Sequence, residues 1–282
     1  MGSDAATITS KLFDITTSSP LTVTNDFSAG KALPLGVVKQ ALAPIDLQND
    51  HNFNTRNNQL LQAALQPLLA NIENLKTRYG AHRIGVIIGS STSGIKEGEA
   101  AIAKLNDIGG LPAGFDYSQQ EIGAPSHFVA NYLGLSGPAW TISTACTSSA
   151  KALASAARLI NIGAVDAVIT GGCDSLCKLT VEGFSALAAV SDAQCMPFSQ
   201  NRNGINVGEG AALFIMSKQP AAIKLCGVGE TSDAHHISAP HPAGEGAQAA
   251  MRAALTMAKL TPDAIGYINL HGTATEQNDR ME

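Results

Sequence analysis

Three short apolar runs separated by helical patterns are the sequence feature that most constrains the fold. Each run is rich in β-branched residues and ends near a glycine or serine, which is typical of a strand buried on both faces of a sheet. The predicted strands are residues 83–91, 139–144 and 165–171. The helices predicted between them are residues 95–105, 125–133 and 148–162. This order predicts an α/β fold with a parallel or mixed sheet.

The flanking segments extend the pattern on both sides. Residues 55–79 carry leucines at helical intervals, and we expect Pro67 to kink this helix. Residues 1–54 mix polar residues and prolines with short apolar pieces, which indicates loops and short strands. Towards the other end, the sequence predicts a helix at 243–260 and strands at 211–218, 223–229 and 265–270.

Composition argues against several classes of function. Of 282 residues, 45% are hydrophobic and 15% charged, which provides for a large buried core. The net charge is −5 and no basic run is present, so nucleic acid is not an expected partner. No apolar run approaches the roughly 20 residues that span a bilayer. Five irregularly spaced cysteines without a secretory pattern predict a reducing, cytoplasmic location.

Cys146 lies at the junction between the predicted strand 139–144 and the predicted helix 148–162. Backbone N–H groups at a helix N-terminus favour negative charge, so a thiol there can ionise below its free pKa of roughly 8.5. The flanking residues are all small, which leaves room for a bulky acyl thioester. They are Ala145, Thr147, Ser148, Ser149 and Ala150. The alternative is a core cysteine, as most unpaired cysteines are, but the position favours a nucleophile.

His271 follows the apolar run 265–270 and precedes Gly272, Thr273 and Thr275. The carboxyl ends of strands are where α/β sheets place their ligand sites. A histidine there can donate a hydrogen bond to a developing oxyanion or accept a proton, so a cysteine and a histidine form an acyl-transfer pair. The alternative is a histidine whose ring only satisfies nearby backbone groups.

Six segments in order resemble the β-ketoacyl-acyl-carrier-protein synthases of the elongating type, within the thiolase superfamily. They are GPAWTISTACTSSAKAL, DAVITGGCDS, GFSALAAVS, PFSQNRNGINVGEGAALFIMS, DAHHISAPHPAGEG and NLHGTATEQNDRME. The resemblance implies a thiolase-like layered α/β/α/β/α fold and a homodimer. It implies an N-terminal half over residues 1–218 that carries the nucleophile, and the start of a C-terminal half over residues 219–282.

The resemblance also implies an acyltransferase reaction in fatty-acid or polyketide-type biosynthesis. By position, Cys146 matches the nucleophile that takes the acyl chain, and His271 matches a histidine that assists decarboxylation of malonyl carrier and stabilises the enolate. Thr273 and Thr275 match hydroxyls that contact the phosphopantetheine arm, and Phe184 matches the lining of the acyl pocket. The arm arrives on the acyl carrier protein, so neither a cofactor nor a metal is expected.

The chain departs from the family pattern in several places. Relatives begin earlier and continue well past Glu282, so we expect a chain truncated at both ends and incomplete for full condensation. Lys151 stands where these synthases commonly have histidine, and NGINVGEG replaces a more usual form. Three further histidines match a loop of the family better than a zinc site. They are His235, His236 and His241.

Two rival interpretations remain. A thiolase or an initiating synthase could share the fold and the cysteine, but the HGTAT segment argues against both. A non-catalytic partner subunit resembling a chain-length factor would keep the fold without the chemistry, although such partners typically lack the nucleophile. Mapping the residue that a thiol reagent alkylates would discriminate, because only the enzyme requires a reactive Cys146.

Overall fold

The computed structural model describes residues 5–14, 19–45, 53–236 and 239–282, which form two compact units. The first unit comprises Met1–Gly183 and Val207–Gln219, and the second comprises Phe184–Asn206 and Pro220–Glu282. The division into thiolase-like halves at residue 218 stays a prediction.

Helices and short strands alternate along the first unit, as the sequence predicts. The strands are β1 (Thr22–Thr24), β2 (Leu33–Leu35), β3 (Ile84–Gly89), β4 (Ala139–Ile142), β5 (Ala167–Asp174) and β6 (Gly210–Ser217). The α-helices within the described residues of both units are α1 (Ala5–Phe13), α2 (Arg56–Leu65), α3 (Leu69–Tyr79), α4 (Ile95–Ile108), α5 (Ala124–Leu133), α6 (Ser148–Asn161), α7 (Lys178–Ala186), α8 (Glu245–Ala258) and α9 (Glu276–Met281).

Four strands of the first unit form one mixed sheet in the order β4, β3, β5, β6. Strand β3 pairs in parallel with both β4 and β5, whereas β5 pairs antiparallel with β6. All six residues of β3 are buried, because helices cover both faces of the sheet. The mixed sheet predicted from the apolar runs is confirmed.

Side chains of β3 alternate between two apolar clusters. Val86 and Ile88 join the cluster that contains Phe128 of α5 and Leu61 of α2. Ile87 joins the opposite cluster, which is built largely from alanines and isoleucine of α6. The same strand therefore anchors α6, and the residues that precede α6 are held close to the carboxyl end of the sheet.

The helix predicted for residues 55–79 is interrupted where Pro67 stands. Helix α2 ends at Leu65, a 3-10 turn covers Gln66–Leu68, and α3 begins at Leu69. Proline lacks the N–H that a continuous helix requires and crowds the preceding turn. The predicted kink is confirmed.

The strands predicted for residues 223–229 and 265–270 are wrong, because neither segment pairs with another strand among the described residues. A strand exists only when a neighbour satisfies its backbone groups. Instead, the N–H of Val228 donates to the sulfur of Met257. Tyr267 is 79% exposed, and its apolar neighbours are also exposed. Both segments have strand-like sequences without strand partners.

Helices α1, α7 and α9 were not predicted, and α1 lies within residues 1–54, where the sequence predicted loops and short strands. Helix α7 contains Thr180, Val181 and Gly183, which have weak helix propensity. The carboxylate of Glu99 accepts hydrogen bonds from the N–H groups of Lys178 and Leu179 at 2.9 and 2.6 Å. A carboxylate at this end satisfies N–H groups that the helix itself cannot. A contact distant in sequence therefore stabilises α7.

No helix among the described residues is long and apolar enough to cross a membrane.

Candidate active site

Cys146 is exposed and lies in the short connection between β4 and α6. Ala145, directly before it, has a left-handed backbone with φ of 52°, which is unfavourable for a residue with a side chain. Ser148 holds this turn, because its N–H and its hydroxyl both donate to the Ala145 carbonyl, at 3.1 and 2.7 Å. The Ser148 hydroxyl also accepts the N–H of Thr144 at 2.9 Å. The turn presents the thiol at the surface, and the predicted start of α6 is confirmed.

Two glycines of the sheet lie directly against the first turn of α6. A Cβ atom on Gly89 would lie 2.5 Å from the backbone of Ser148 and Ser149, and one on Gly172 would lie 1.8 Å from the Ser149 hydroxyl. Such distances are well inside van der Waals contact. The helix that follows the nucleophile therefore packs on bare backbone.

The other cysteines are in different surroundings. Cys173 and Cys177 are buried, and burial raises the pKa of the Cys173 thiol well above its ordinary value and also raises that of Cys177. Burial likewise raises the pKa of Cys195. Of the five cysteines, all of which lie in the described part of the chain, Cys146 and Cys226 are exposed. The thiolate is the reactive form, so the raised pKa values of Cys173, Cys177 and Cys195 lower the reactivity of these three thiols. Cys146 and Cys226 are the two thiols that a reagent can reach from solvent.

His271 is exposed and lies in the second unit, in a loop that a carboxylate holds. The N–H of His271 donates to Oε1 of Glu282 at 2.7 Å, and the N–H of Gly272 donates to Oε2 at 2.9 Å. The side-chain amide of Asn278 donates to the same Oε2 at 3.0 Å. Glu282 thus fixes the backbone at the histidine, although the strand predicted before it is absent.

The predicted arm-contacting hydroxyls are half-buried neighbours in the second unit. The Oγ1 atoms of Thr273 and Thr275 lie 2.8 Å apart. Ala274 between them is buried with φ of 53°, and its carbonyl accepts the N–H of Gly204 at 2.9 Å. This turn places both hydroxyls on one side of the loop.

Phe184 is half-buried near the end of α7, where its carbonyl accepts the N–H of Ala189 at 3.0 Å. The second unit contains Phe184 together with His271 and both threonines, whereas Cys146 belongs to the first unit. The roles of these five residues stay predictions.

The three loop histidines occupy a hydrogen-bonded turn before α8. The rings of His235 and His241 pack edge to face with centroids 4.8 Å apart, and the N–H of His241 donates to Asp233 at 2.8 Å. Residues 237 and 238 of the segment DAHHISAPHP lie outside the described residues. Across residues 5–14, 19–45, 53–236 and 239–282, no group of three His, Cys, Asp or Glu side chains could hold a metal ion.

Lys151 lies in the first turns of α6, where it is half-buried and its N–H donates to the Thr147 carbonyl at 2.9 Å. This backbone bond is that of an ordinary helical residue, and a lysine can make it as well as a histidine. The lysine at position 151, in place of the family's usual histidine, therefore leaves the backbone of α6 regular.

Two domains of one enzyme family match the chain. The domain described as Beta-ketoacyl synthase, N-terminal domain, matches residues 48–222, and Beta-ketoacyl synthase, C-terminal domain, matches residues 222–282. The chain belongs to the β-ketoacyl synthase family.

Curated relatives of this β-ketoacyl synthase family member are considerably longer. Nodulation protein E of Rhizobium sp. (strain N33) is 35% identical over 212 residues, which cover 72% of this chain and 52% of the relative. The 3-oxoacyl-(acyl-carrier-protein) synthase 2 of Staphylococcus aureus is 34% identical over 217 residues, which cover 72% of this chain and 54% of the relative. The chain thus spans about half the length of the curated relatives it matches.

A solved structure agrees with the fold. It is a ketosynthase in complex with its chain length factor from Xenorhabdus doucetiae, 44% identical to this chain with a TM-score of 0.88. The match covers 93% of this chain and 66% of that chain. The predicted thiolase-like α/β fold of this β-ketoacyl synthase family member is confirmed.

Proposed function

We propose that this chain is a 3-oxoacyl-acyl-carrier-protein synthase of fatty-acid or polyketide-type biosynthesis, with Cys146 as its nucleophile. One observation carries the proposal: in a chain of the β-ketoacyl synthase family, the turn at Ala145 presents an exposed thiol before a helix N-terminus.

In the first step, the thiolate of Cys146 attacks the carbonyl carbon of an acyl thioester on the acyl carrier protein. A C–S bond to Cys146 forms and the C–S bond to the carrier breaks. The phosphopantetheine sulfur leaves as a thiolate, which takes up the proton that the Cys146 thiol released when it ionised. The residues next to the nucleophile are small, so a thioester can approach the sulfur. The arm belongs to the substrate, and the step needs no cofactor of the chain.

In the second step, malonyl carrier loses CO2, and the electron pair of the broken C–C bond forms an enolate. We assign to His271 the hydrogen bond to the enolate oxygen, since donors aimed at developing charge lower the barrier. The enolate carbon attacks the acyl carbonyl, the bond to Cys146 breaks, and the 3-oxoacyl carrier leaves. In this proposal Thr273 and Thr275 bind the arm, and Phe184 contacts the acyl chain.

The proposal is tested with purified protein and an acyl carrier protein loaded with an acyl thioester. We expect the intact mass to rise by one acyl group, and peptide mapping to locate that group on Cys146. A folded protein that accepts no acyl group would contradict the proposal and would favour the non-catalytic partner subunit.

We also propose that two copies associate through β4, which is an edge strand among the described residues. The N–H of Val86 donates to the Pro138 carbonyl and that of Ser90 to the Ile142 carbonyl. The backbone groups of Ala139 and Thr141 therefore point to the open side, where a second strand could pair.

Association through β4 predicts a dimer in light scattering. Ala139→Pro removes an outward N–H and leaves the bonds to β3 in place, so it should lower the measured molar mass towards that of one chain. An unchanged dimer in this variant would place the interface elsewhere.

A further inference from the structure

Asp174, at the end of β5, holds the loop that follows β3. Its Oδ1 atom accepts hydrogen bonds from the backbone N–H groups of Ser91 and Thr92, at 2.7 and 3.0 Å. The same oxygen accepts hydrogen bonds from the side-chain hydroxyls of Thr92 and Ser90, at 3.0 and 3.2 Å. The N–H of Ser90 donates to the Ile142 carbonyl at the end of β4. One carboxylate oxygen thus gathers the loop at the carboxyl edge of the sheet.

Ser91 connects this loop to the turn that carries the nucleophile. Its hydroxyl donates to the Ala145 carbonyl at 3.3 Å and lies 3.3 Å from the Ser148 hydroxyl. That carbonyl belongs to the peptide between Ala145 and Cys146. A continuous series of hydrogen bonds therefore runs from Asp174 through Ser91 to the backbone at the nucleophile.

We propose that Asp174 is a positioning residue, which holds Ser91 against the Ala145 carbonyl and thereby fixes the left-handed turn that presents Cys146. An alanine at positive φ persists only when its surroundings enforce it. Hydrogen bonds to a charged acceptor are roughly twice as strong as those between neutral groups, which explains a carboxylate at this place. The inference rests on the proposed function only in treating Cys146 as the nucleophile.

The test compares alkylation of Cys146 by iodoacetamide with alkylation of Cys226 in the same molecule, by quantitative peptide mass spectrometry. Cys226 is exposed and belongs to the second unit, so it serves as an internal standard. Rates are measured from about pH 6 to about pH 9, across the range in which thiols ionise. In Asp174→Ala we expect the ratio of the Cys146 rate to the Cys226 rate to fall about tenfold, because a thiol that leaves its place before the N-terminus of α6 ionises less readily, and the thiolate is the form that is alkylated.

Three further variants sharpen the test. Asp174→Asn keeps the Oδ1 acceptor, so the ratio of the two alkylation rates should fall less than in Asp174→Ala. Ser91→Ala removes the connection to the turn and should lower the ratio as Asp174→Ala does, with no further loss in the double variant. Asp166→Ala is the matched control, because this carboxylate precedes the same strand and pairs with Arg83 at 2.7 Å. It should leave the ratio and its pH profile unchanged.

The proposal is overturned if folded Asp174→Ala keeps the wild-type ratio and pH profile. A higher ratio, which local loosening alone would produce, also contradicts it. If Asp174→Ala fails to fold, Ser91→Ala decides, and a wild-type ratio there overturns the proposal. If wild type accepts no acyl group while the ratio responds as expected, the proposed function is wrong and the positioning role stands.

Discussion

Cys146→Ala is expected to abolish acyl transfer from the acyl carrier protein completely. The sulfur is the atom that forms the bond, and alanine offers no replacement. Because the side chain is exposed, the free energy of unfolding should change by less than about 0.5 kcal/mol. Intact mass spectrometry after incubation with acyl carrier thioester should show the acyl adduct on wild type alone.

Cys226→Ala is the matched control for this loss, because Cys226 is the other exposed cysteine. It should accept the acyl group as wild type does. If the acyl group persists in Cys146→Ala and disappears in Cys226→Ala, Cys226 is the nucleophile and the assignment to Cys146 is wrong.

Glu209→Ala is expected to destabilise the first unit by about 3 to 5 kcal/mol, as removal of one partner from a buried ion pair does. The Glu209 side chain is 3% exposed, and its Oε1 lies 2.6 Å from Nη2 of Arg56. It also accepts the N–H groups of Val38 and Leu176 at 3.1 and 3.3 Å. The variant leaves the N–H groups of Val38 and Leu176 without their acceptor, and the Arg56 guanidinium keeps its bond to the Val38 carbonyl at 2.9 Å but loses its counter-charge. Trp140, the single tryptophan, belongs to this unit and reports its unfolding in denaturant by fluorescence.

The exposed ion pair between Arg83 and Asp166 is the matched comparison. The side chains of Arg83 and Asp166 are 32% and 40% exposed. Asp166→Ala should therefore lower the free energy of unfolding much less than Glu209→Ala does. Equal losses in the two variants would contradict the role of burial at Glu209.

The pH dependence of this stability follows from the same contacts. Burial alone would raise the pKa of Glu209, but the hydrogen bonds and charge of Arg56, with the two N–H groups, lower it below its ordinary 4.5. A lowered pKa in the folded state means that the stabilisation is present above pH 4.5 and is lost as the pH falls through the folded value. The Glu209→Gln variant should therefore lose less stability than wild type on acidification, as denaturation at each pH would measure.

Much of the first unit could be predicted because its two central strands, β3 and β5, are buried on both faces. Strands at 84–89 and 167–174 are apolar runs that no other local structure explains as well. The same signal gave wrong predictions at 223–229 and 265–270. Apolar and β-branched residues favour a strand, but the strand forms only where a neighbouring strand pairs with it. Sequence alone does not show whether that neighbour is present.

The candidate site was accessible to sequence analysis where its residues are consecutive, as around Cys146 and His271. The residues that hold it in place were not. Asp174, which we propose holds the turn at Cys146, lies 83 positions from Ser91. One sequence signal marked Asp174, a carboxylate close to the carboxyl end of a predicted buried strand, but its partners are found only when strands β3, β4 and β5 are placed side by side.

The contact of Gly89 and Gly172 with the first turn of α6 leaves less than the width of a methyl group between the sheet and this helix. Under the proposed function, an incoming acyl chain therefore cannot push α6 inward. Any widening that a longer acyl chain requires would come from side chains on other elements. If the proposed function is correct, the residues that set acyl-chain length should accordingly be sought away from the helix that follows Cys146.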